Sequence, residues 1–181
     1  AYSVFDVEEM AQVEQGVASI ASQLGGIDIL INNAGVGDFG SFEEMPVETW
    51  EKVMKVNLFG VYYVAKATLP YLKQNKEGDI VNVASTAGLK GGPNMSAYGA
   101  SKAAVISLSQ SLMAELRKFN IRVITLTPST IATDMSIEGK LTDGNPEKVL
   151  QPEDFAEWVR DILKMNRRAM IASASIFSTN P

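Results

Sequence analysis

Ile27-Asp28-Ile29-Leu30-Ile31-Asn32-Asn33-Ala34-Gly35-Val36-Gly37 is the stretch that decides the fold. Ile27 to Asn32 is a short, β-rich run, and the glycines that follow mark a turn, so it reads as a strand feeding a loop. Upstream, Met10, Val13, Val17, Ile20 and Leu24 recur at three- and four-residue steps. They predict an amphipathic helix from Val7 onward, stopped by Gly25-Gly26. Downstream, Pro46 opens a long helical pattern carrying Trp50, Val53, Met54, Val61 and Val64 toward Tyr71, with Gly78 closing the polar stretch beyond it. Ile80-Val81-Asn82-Val83 reads as a second strand. A Gly/Ser/Pro-rich loop from Ser85 to Asn94 leads to a helix lined by Val105, Leu108, Leu112 and Leu116. Ile121-Arg122-Val123-Ile124-Thr125-Leu126 is a third strand, broken by Pro128. Pro152 opens a helix with Phe155, Trp158, Val159 and Ile162 on one face, and Met170-Ile171-Ala172 reads as the last strand.

Strands that alternate with helices, in runs apolar throughout, indicate an α/β fold: a doubly wound parallel sheet covered on both faces. No internal repeat or second domain is visible, so residues 1–181 read as a single domain. Ligands of such sheets bind beyond the carboxyl ends of the strands, so the loops after Ile31, Val83 and Leu126 are expected to converge on one site.

Composition narrows the chemistry. The chain has 181 residues, 46% of them hydrophobic and 20% charged, and a net charge of −5. The acidic balance argues against nucleic acid or an anionic membrane as partner, since either needs a basic face. The apolar stretches, such as Ile27–Ile31 and Val61–Ala65, are far shorter than the roughly 20 residues of a bilayer span. The first residues, Ala1-Tyr2-Ser3-Val4-Phe5-Asp6, do not read as a signal peptide, and the expectation is a cytoplasmic protein. With no cysteine and no histidine, the chain has no disulfide, no thiol nucleophile, no Ser-His-Asp triad and no thiolate or histidine metal site. Acid/base work falls to Tyr, Lys, Asp or Glu, and no metal is expected.

Three strand ends carry distinctive residues: Asn32-Asn33-Ala34-Gly35 after the first strand, Ser85 after the second, and Tyr98-Gly99-Ala100-Ser101-Lys102 beginning thirteen positions after Ser85. These resemble the NNAG, Ser and Y-x-x-x-K motifs of the short-chain dehydrogenase/reductase family. Asn57, in Lys55-Val56-Asn57-Leu58, falls where that family places a fourth catalytic residue. The resemblance runs from about Asp6 to at least Thr133 and is looser beyond. It implies a Rossmann-like sheet and NAD(P)H-dependent carbonyl reduction or alcohol oxidation, with NADP(H) favoured over NAD(H).

The chemistry accounts for the residue types. Tyr98 and Lys102 lie four apart on a predicted helix and share a face, so the ammonium is expected to favour the phenolate. A free tyrosine, with a pKa of about 10, exchanges protons poorly near neutrality. In the reduction direction Tyr98 would give a proton to the carbonyl oxygen while Ser85 hydrogen-bonds it as an oxyanion donor. By resemblance, Tyr98 and Lys102 also bind the cofactor, Lys102 at the nicotinamide ribose, and Asn57 holds a water that relays protons from Lys102 toward solvent. Alternatively, Ser85 is a loop or cap residue, Asn57 bends its helix or bonds its backbone, and the Tyr–Lys pair is a packing residue and a solvated charge.

Further cofactor contacts are implied. Asn33, Ala34 and Gly35 would bring the loop backbone close to the adenosine ribose, which a side chain at Gly35 would obstruct. Asp6-Val7 resembles the acidic-then-aliphatic pair at the end of the family's third strand, where the pair meets adenine; Asp6 also reads as a helix cap. Pro128-Ser129-Thr130-Ile131-Ala132-Thr133 resembles the family's P-G-x-I/V-x-T segment, which places Ile131 and Thr133 at the nicotinamide carboxamide. Ser129 stands where glycine is usual.

Relative to that family, the first strand, the T-G-x-x-x-G-x-G turn and the second strand are absent. Roughly 55 residues, about two βα units, are expected ahead of Ala1 in a protein of about 235 residues. Among family members the sequence looks most like 3-oxoacyl-(acyl-carrier-protein) reductases. A reductase of a sugar, steroid or small ketone, or a catalytically silent binding module, is the alternative. The substrate-covering region, Ser136 through Leu150, is short and polar and offers no apolar sleeve, and Ser173 through Pro181 lacks the family's terminal glycine pair. The partner would be a small carbonyl or alcohol, or an acyl-carrier-protein thioester. A homodimer or homotetramer is implied by analogy, with Trp50, Met54, Met113 and Phe119 as interface or core residues.

Overall fold

The computed structural model describes residues 1–179; Asn180 and Pro181, the end of the Ser173–Pro181 stretch, lie outside the described residues. Four strands form one parallel sheet in the order β1-β2-β3-β4: β1 (Ile29–Asn32), β2 (Gly78–Val83), β3 (Ile121–Pro128) and β4 (Ser173–Ile176). The helices are α1 (Met10–Leu24), α2 (Val47–Met54), α3 (Val61–Gln74), α4 (Ser96–Leu116), α5 (Asp134–Glu138) and α6 (Pro152–Leu163).

Successive residues of the central strands serve opposite faces, and this explains their unbroken apolarity. Ile80, Ile121 and Val123 pack on one side with Leu72 of α3 and Leu116 of α4. Val81, Ile124 and Leu126 pack on the other with Val159 and Ile162 of α6. All eight residues of β3 are buried. A polar thread crosses this core: Asn32 Nδ2 donates to Asn82 Oδ1 (2.8 Å), Asn82 Nδ2 to Ser109 Oγ (2.8 Å), and Ser109 to the Val105 carbonyl (2.7 Å). It ties β1, β2 and α4 together with each buried polar group partnered.

Four expectations are corrected. The first helix begins at Met10, not Val7, because Asp6 closes a turn ahead of it: its carboxylate accepts from Glu8 N–H at 3.0 Å. No strand forms before Asp6; the Phe5 ring instead sits on Gly16 of α1, where any side chain would collide with it. The long helix after Pro46 is interrupted by a π-helical segment, Lys55–Gly60. The last strand is Ser173–Ile176, since Met170 and Ile171 turn into the cluster under α6.

Cover is complete over the middle of the sheet but not over β1. Leu30 packs inward, whereas Ile29 and Ile31, on the opposite face, are 46% and 45% exposed. Of the four residues named for an interface, Met113 packs against the core, Trp50 and Met54 are half-buried, and Phe119 is exposed beneath the Lys73 ammonium, 4.3 Å from its ring centre.

At the amino ends of β2 and β3, Asp79 and Arg122 are register partners and both are buried. The guanidinium grips the carboxylate with two bonds, Nε to Oδ1 at 2.6 Å and an Nη to Oδ2 at 2.9 Å. Arg122 also donates to the carbonyls of Leu163, Met165 and Ala169, the chain leaving α6. Arg167 adds bonds to Asp79 and to the Gly78 and Asn120 carbonyls. A charge pair removed from water this far is tolerable only when its remaining donors are also satisfied, as here.

Candidate active site

The loops after β1, β2 and β3 do converge. They line one cavity of about 890 Å3 that contains Asn33, Ala34, Gly35, Ser85, Tyr98, Lys102, Ile131 and Thr133. This is within the usual size range of small-molecule and cofactor sites.

Ser85 caps a short turn, its Oγ accepting from Ala87 N–H at 3.1 Å. That turn is pressed onto α4: a Cβ at Gly88 would come within 2.6 Å of the Lys102 carbonyl carbon. Only glycine permits the approach, and the approach brings Ser85 to the first turns of α4, where Tyr98 and Lys102 stand. Ser85 and Tyr98 line the same cavity. Burial pushes the phenol above the usual tyrosine value, and the neighbouring Ser85 hydroxyl opposes it. Burial, and not the Lys102 charge, sets the direction of this shift. The Lys102 ammonium lies 5.7 Å from the Tyr98 ring centre.

Lys102 is only 5% exposed and donates to the Val83 carbonyl at 2.9 Å. Burial lowers its pKa from 10.5 to about 8. A lysine of this kind binds more protons unfolded than folded between about pH 8 and 10.5, so stability rises with pH across that window. At pH 7 both states are protonated and the full burial penalty is present. Lys102→Met is expected to be more stable than the parent at pH 7 by up to about 3 kcal/mol, reduced by the lost Val83 bond. The difference should shrink as pH rises above 8. Urea unfolding at a series of pH values measures it; a pH-independent difference would remove the buried-charge account.

Asn57 lies within the π-helical segment and is fully buried. Widened turns of this kind recur at functional sites, and this one aims the amide at the loop after β1. Its Oδ1 accepts from Val36 N–H (2.8 Å), and its Nδ2 donates to the Val36 carbonyl (2.9 Å) and to Ser101 Oγ (3.0 Å). Asn57 thus bonds backbone, but the backbone of the site loop and not only of its own helix. A Cβ at Gly35 would stand 3.2 Å from Asn57 Oδ1 and 3.6 Å from Lys102 Nζ, so the glycine keeps a clear approach to both.

Ile131 forms an isolated bridge with Leu150, and Thr133 caps α5 through a reciprocal pair with Ser136 while facing the cavity. Ser129 needs no glycine: it is not among the residues at positive φ, and its N–H donates to the Ile176 carbonyl at 2.9 Å. Asp6 and Val7 are not among the residues lining this cavity. Asp6 is exposed, and Val7 lines a small separate pocket with Asn32, Ala34 and Gly60.

Sequence reading missed the apolar wall of the cavity. Phe39, Leu89, Met95, Met135, Leu141 and Phe177 line it. Of the segment read as offering no sleeve, Ser136 through Leu150, only Ser136 and Leu141 line the cavity; the apolar wall is assembled from four separate segments, so no single run displays it. Sequence reading also missed Asp79 and Arg122, although each is the lone charged residue of its strand at the second position.

The nicotinamide end of a dinucleotide fits these residues. Gly35 leaves its approach open, and Lys102, with one of its three protons committed to Val83, has donors left for a ribose.

A parallel sheet with Ser85, Tyr98 and Lys102 gathered at its carboxyl end defines the nucleotide-binding α/β class. Within it, the chain belongs to the short-chain dehydrogenase/reductase family of NAD(P)-dependent oxidoreductases: the family described as short chain dehydrogenase matches residues 1–143. The chain is 35% identical to the inactive 2-(S)-hydroxypropyl-CoM dehydrogenase 2 of Xanthobacter autotrophicus, over 97% of this chain and 81% of that protein. It is 37% identical to the 3-oxoacyl-(acyl-carrier-protein) reductase of Thermotoga maritima over 80% of this chain, and that match spans 56% of the Thermotoga protein. The alcohol dehydrogenase of Thermococcus sibiricus, solved with 5-hydroxy-NADP, superposes with a TM-score of 0.90 at 27% identity, covering 99% of this chain and 75% of that one.

Proposed function

We propose that the chain carries the catalytic part of an NAD(P)H-dependent carbonyl reductase or alcohol dehydrogenase, with a 3-oxoacyl-(acyl-carrier-protein) reductase-like substrate and NADP(H) as the dinucleotide. The observation that carries this reading is the gathering of Ser85, Tyr98 and a nearly buried Lys102 in one cavity.

When bound, the dinucleotide supplies or accepts a hydride. Ser85 holds the substrate oxygen and stabilises charge developing on it, while Tyr98 gives that oxygen its proton. Lys102, close to neutrality in its own titration, favours the phenolate left behind and orients the ribose. Asn57 fixes the loop that the cofactor approaches and lies on the route by which Lys102 recovers its proton. Ile131, Thr133 and the Asn33–Gly35 loop complete the dinucleotide contacts. Asp6 and Val7 take the adenine end, outside the main cavity.

Similarity to the Thermotoga reductase supports the acyl-carrier substrate, and similarity to the Thermococcus enzyme, solved with 5-hydroxy-NADP, supports the cofactor. A dimer or tetramer is the proposed working assembly. The second reading is a silent binding module on the same fold, favoured by the Xanthobacter relative described as inactive. Fluorescence titration with NADPH and NADH, followed by assay with acetoacetyl thioester beside simple ketones, tests both. Saturable NADPH binding with thioester-dependent oxidation is expected. Failure of both dinucleotides to bind would leave the silent module, and turnover of simple ketones alone would remove the acyl-carrier substrate.

A further inference from the structure

The wall beside Tyr98 is built around Phe39. Its ring meets the Tyr98 ring edge-on, centres 5.5 Å apart at 61°. On its other sides it is slotted between two glycines: a Cβ at Gly37 would come within 2.8 Å of the ring, and one at Gly139 within 2.7 Å. One glycine belongs to the loop after β1 and the other ends α5, so Phe39 joins the catalytic loop to the segment that covers the cavity. Met135 reaches the same place, its sulfur 3.1 Å from a Cβ at Gly37.

Leu89, Met135, Leu141 and Phe177, from segments distant in sequence, line the same cavity while remaining 57%, 36%, 38% and 60% exposed. Scattered exposed apolar residues need no explanation, but a set rimming one cavity marks a site whose ligand covers it. The charged residues among the lining are Lys90, Lys102 and Asp134. Lys102 is tied to Val83, while Lys90 and Asp134 are exposed and of opposite sign. Among the described residues that line the cavity there is no arginine and no anion-holding charge fixed by partners.

Resting on the oxidoreductase reading above, we infer that this site takes a carbonyl compound whose part beyond the reacting carbon is apolar and uncharged, held by Phe39, Met95, Met135 and Leu141 and closed over by Leu89 and Phe177. This favours an acyl or alkyl chain over a sugar, whose hydroxyls would lose water against the apolar side made by Phe39, Met95, Met135 and Leu141. Phe39 sets where the chain begins, since it stands directly beside the phenol.

The methionine methyls allow a test that does not depend on turnover, because Met95 and Met135 both line the cavity. Carbon-13 methyl spectra of the chain, assigned with Met95→Leu and Met135→Leu, are recorded against a homologous series of straight-chain methyl ketones and against a keto-sugar of equal carbon number. Both methyls are expected to shift with the ketones, with affinity tightening about fourfold per added methylene until the sleeve is filled. Leu141→Asn, at an exposed position, should flatten that series without unfolding the chain. Affinity independent of chain length, or tighter binding of the keto-sugar, overturns the inference. NADPH oxidation with the same ketones separates the two levels. Turnover that ignores chain length removes the sleeve and keeps the oxidoreductase; length-dependent methyl shifts without hydride transfer keep the sleeve and remove the oxidoreductase.

Discussion

Tyr98→Phe is expected to lower kcat of carbonyl reduction by roughly 10²–10⁴, the range contributed by a positioned general acid. The substitution deletes one oxygen and leaves the ring, so the edge contact with Phe39 persists and folding is preserved. Ser85 keeps its bond from Ala87 N–H. Dinucleotide affinity should change less than kcat, because the Lys102 ribose contact is kept. Steady-state kinetics beside NADPH titration decides the matter. A variant with undiminished kcat would mean that another group protonates the substrate, and with no histidine or cysteine in the chain the remaining choices are few.

Arg122→Ala carries the largest expected effect on stability. It strands the Asp79 carboxylate, buried at 4% exposure, with Arg167 as its remaining cationic partner. It also strands the carbonyls of Leu163, Met165 and Ala169 that Arg122 now satisfies. Breaking a buried pair from one side typically costs about 3–5 kcal/mol. In a chain of this size that is a fall in Tm of about 6–20 °C. Replacing both partners together, as Asp79→Leu with Arg122→Met, should cost less, since no buried carboxylate is left unpaired, although the three carbonyls lose their donor in both variants. Chemical denaturation of the single and double variants measures this, and equal losses in both would refute the account.

Legibility in the sequence followed locality. Ser85, Tyr98 and Lys102 were readable because strand-end and four-residue helical spacings are local patterns that packing preserved, and the first three strands appeared for the same reason. The π-helical segment was not readable: the bond from Val36 N–H that its Asn57 accepts comes from 21 positions away in the chain. Asp79 and Arg122 required the β2–β3 register, which no single strand displays. The last strand was misplaced because its most apolar neighbours, Met170 and Ile171, are needed under α6, leaving the smaller Ser173-Ala174-Ser175-Ile176 to pair with β3. The elevated Tyr98 pKa was missed because spacing reports a neighbouring charge but not the loss of water around the phenol.

The charge clamp and the reacting groups occupy opposite ends of the same strand: Asp79 near the start of β2, and Val83, whose carbonyl holds Lys102, at its end. They stand four positions apart along the strand, about 13 Å. Changes that far apart, with no shared partner, combine additively. Durability and selectivity are therefore free to drift separately. The loops that choose a substrate can accumulate changes while the clamp goes on holding the sheet to α6, and a weakened clamp can be compensated elsewhere without retuning the proton donor.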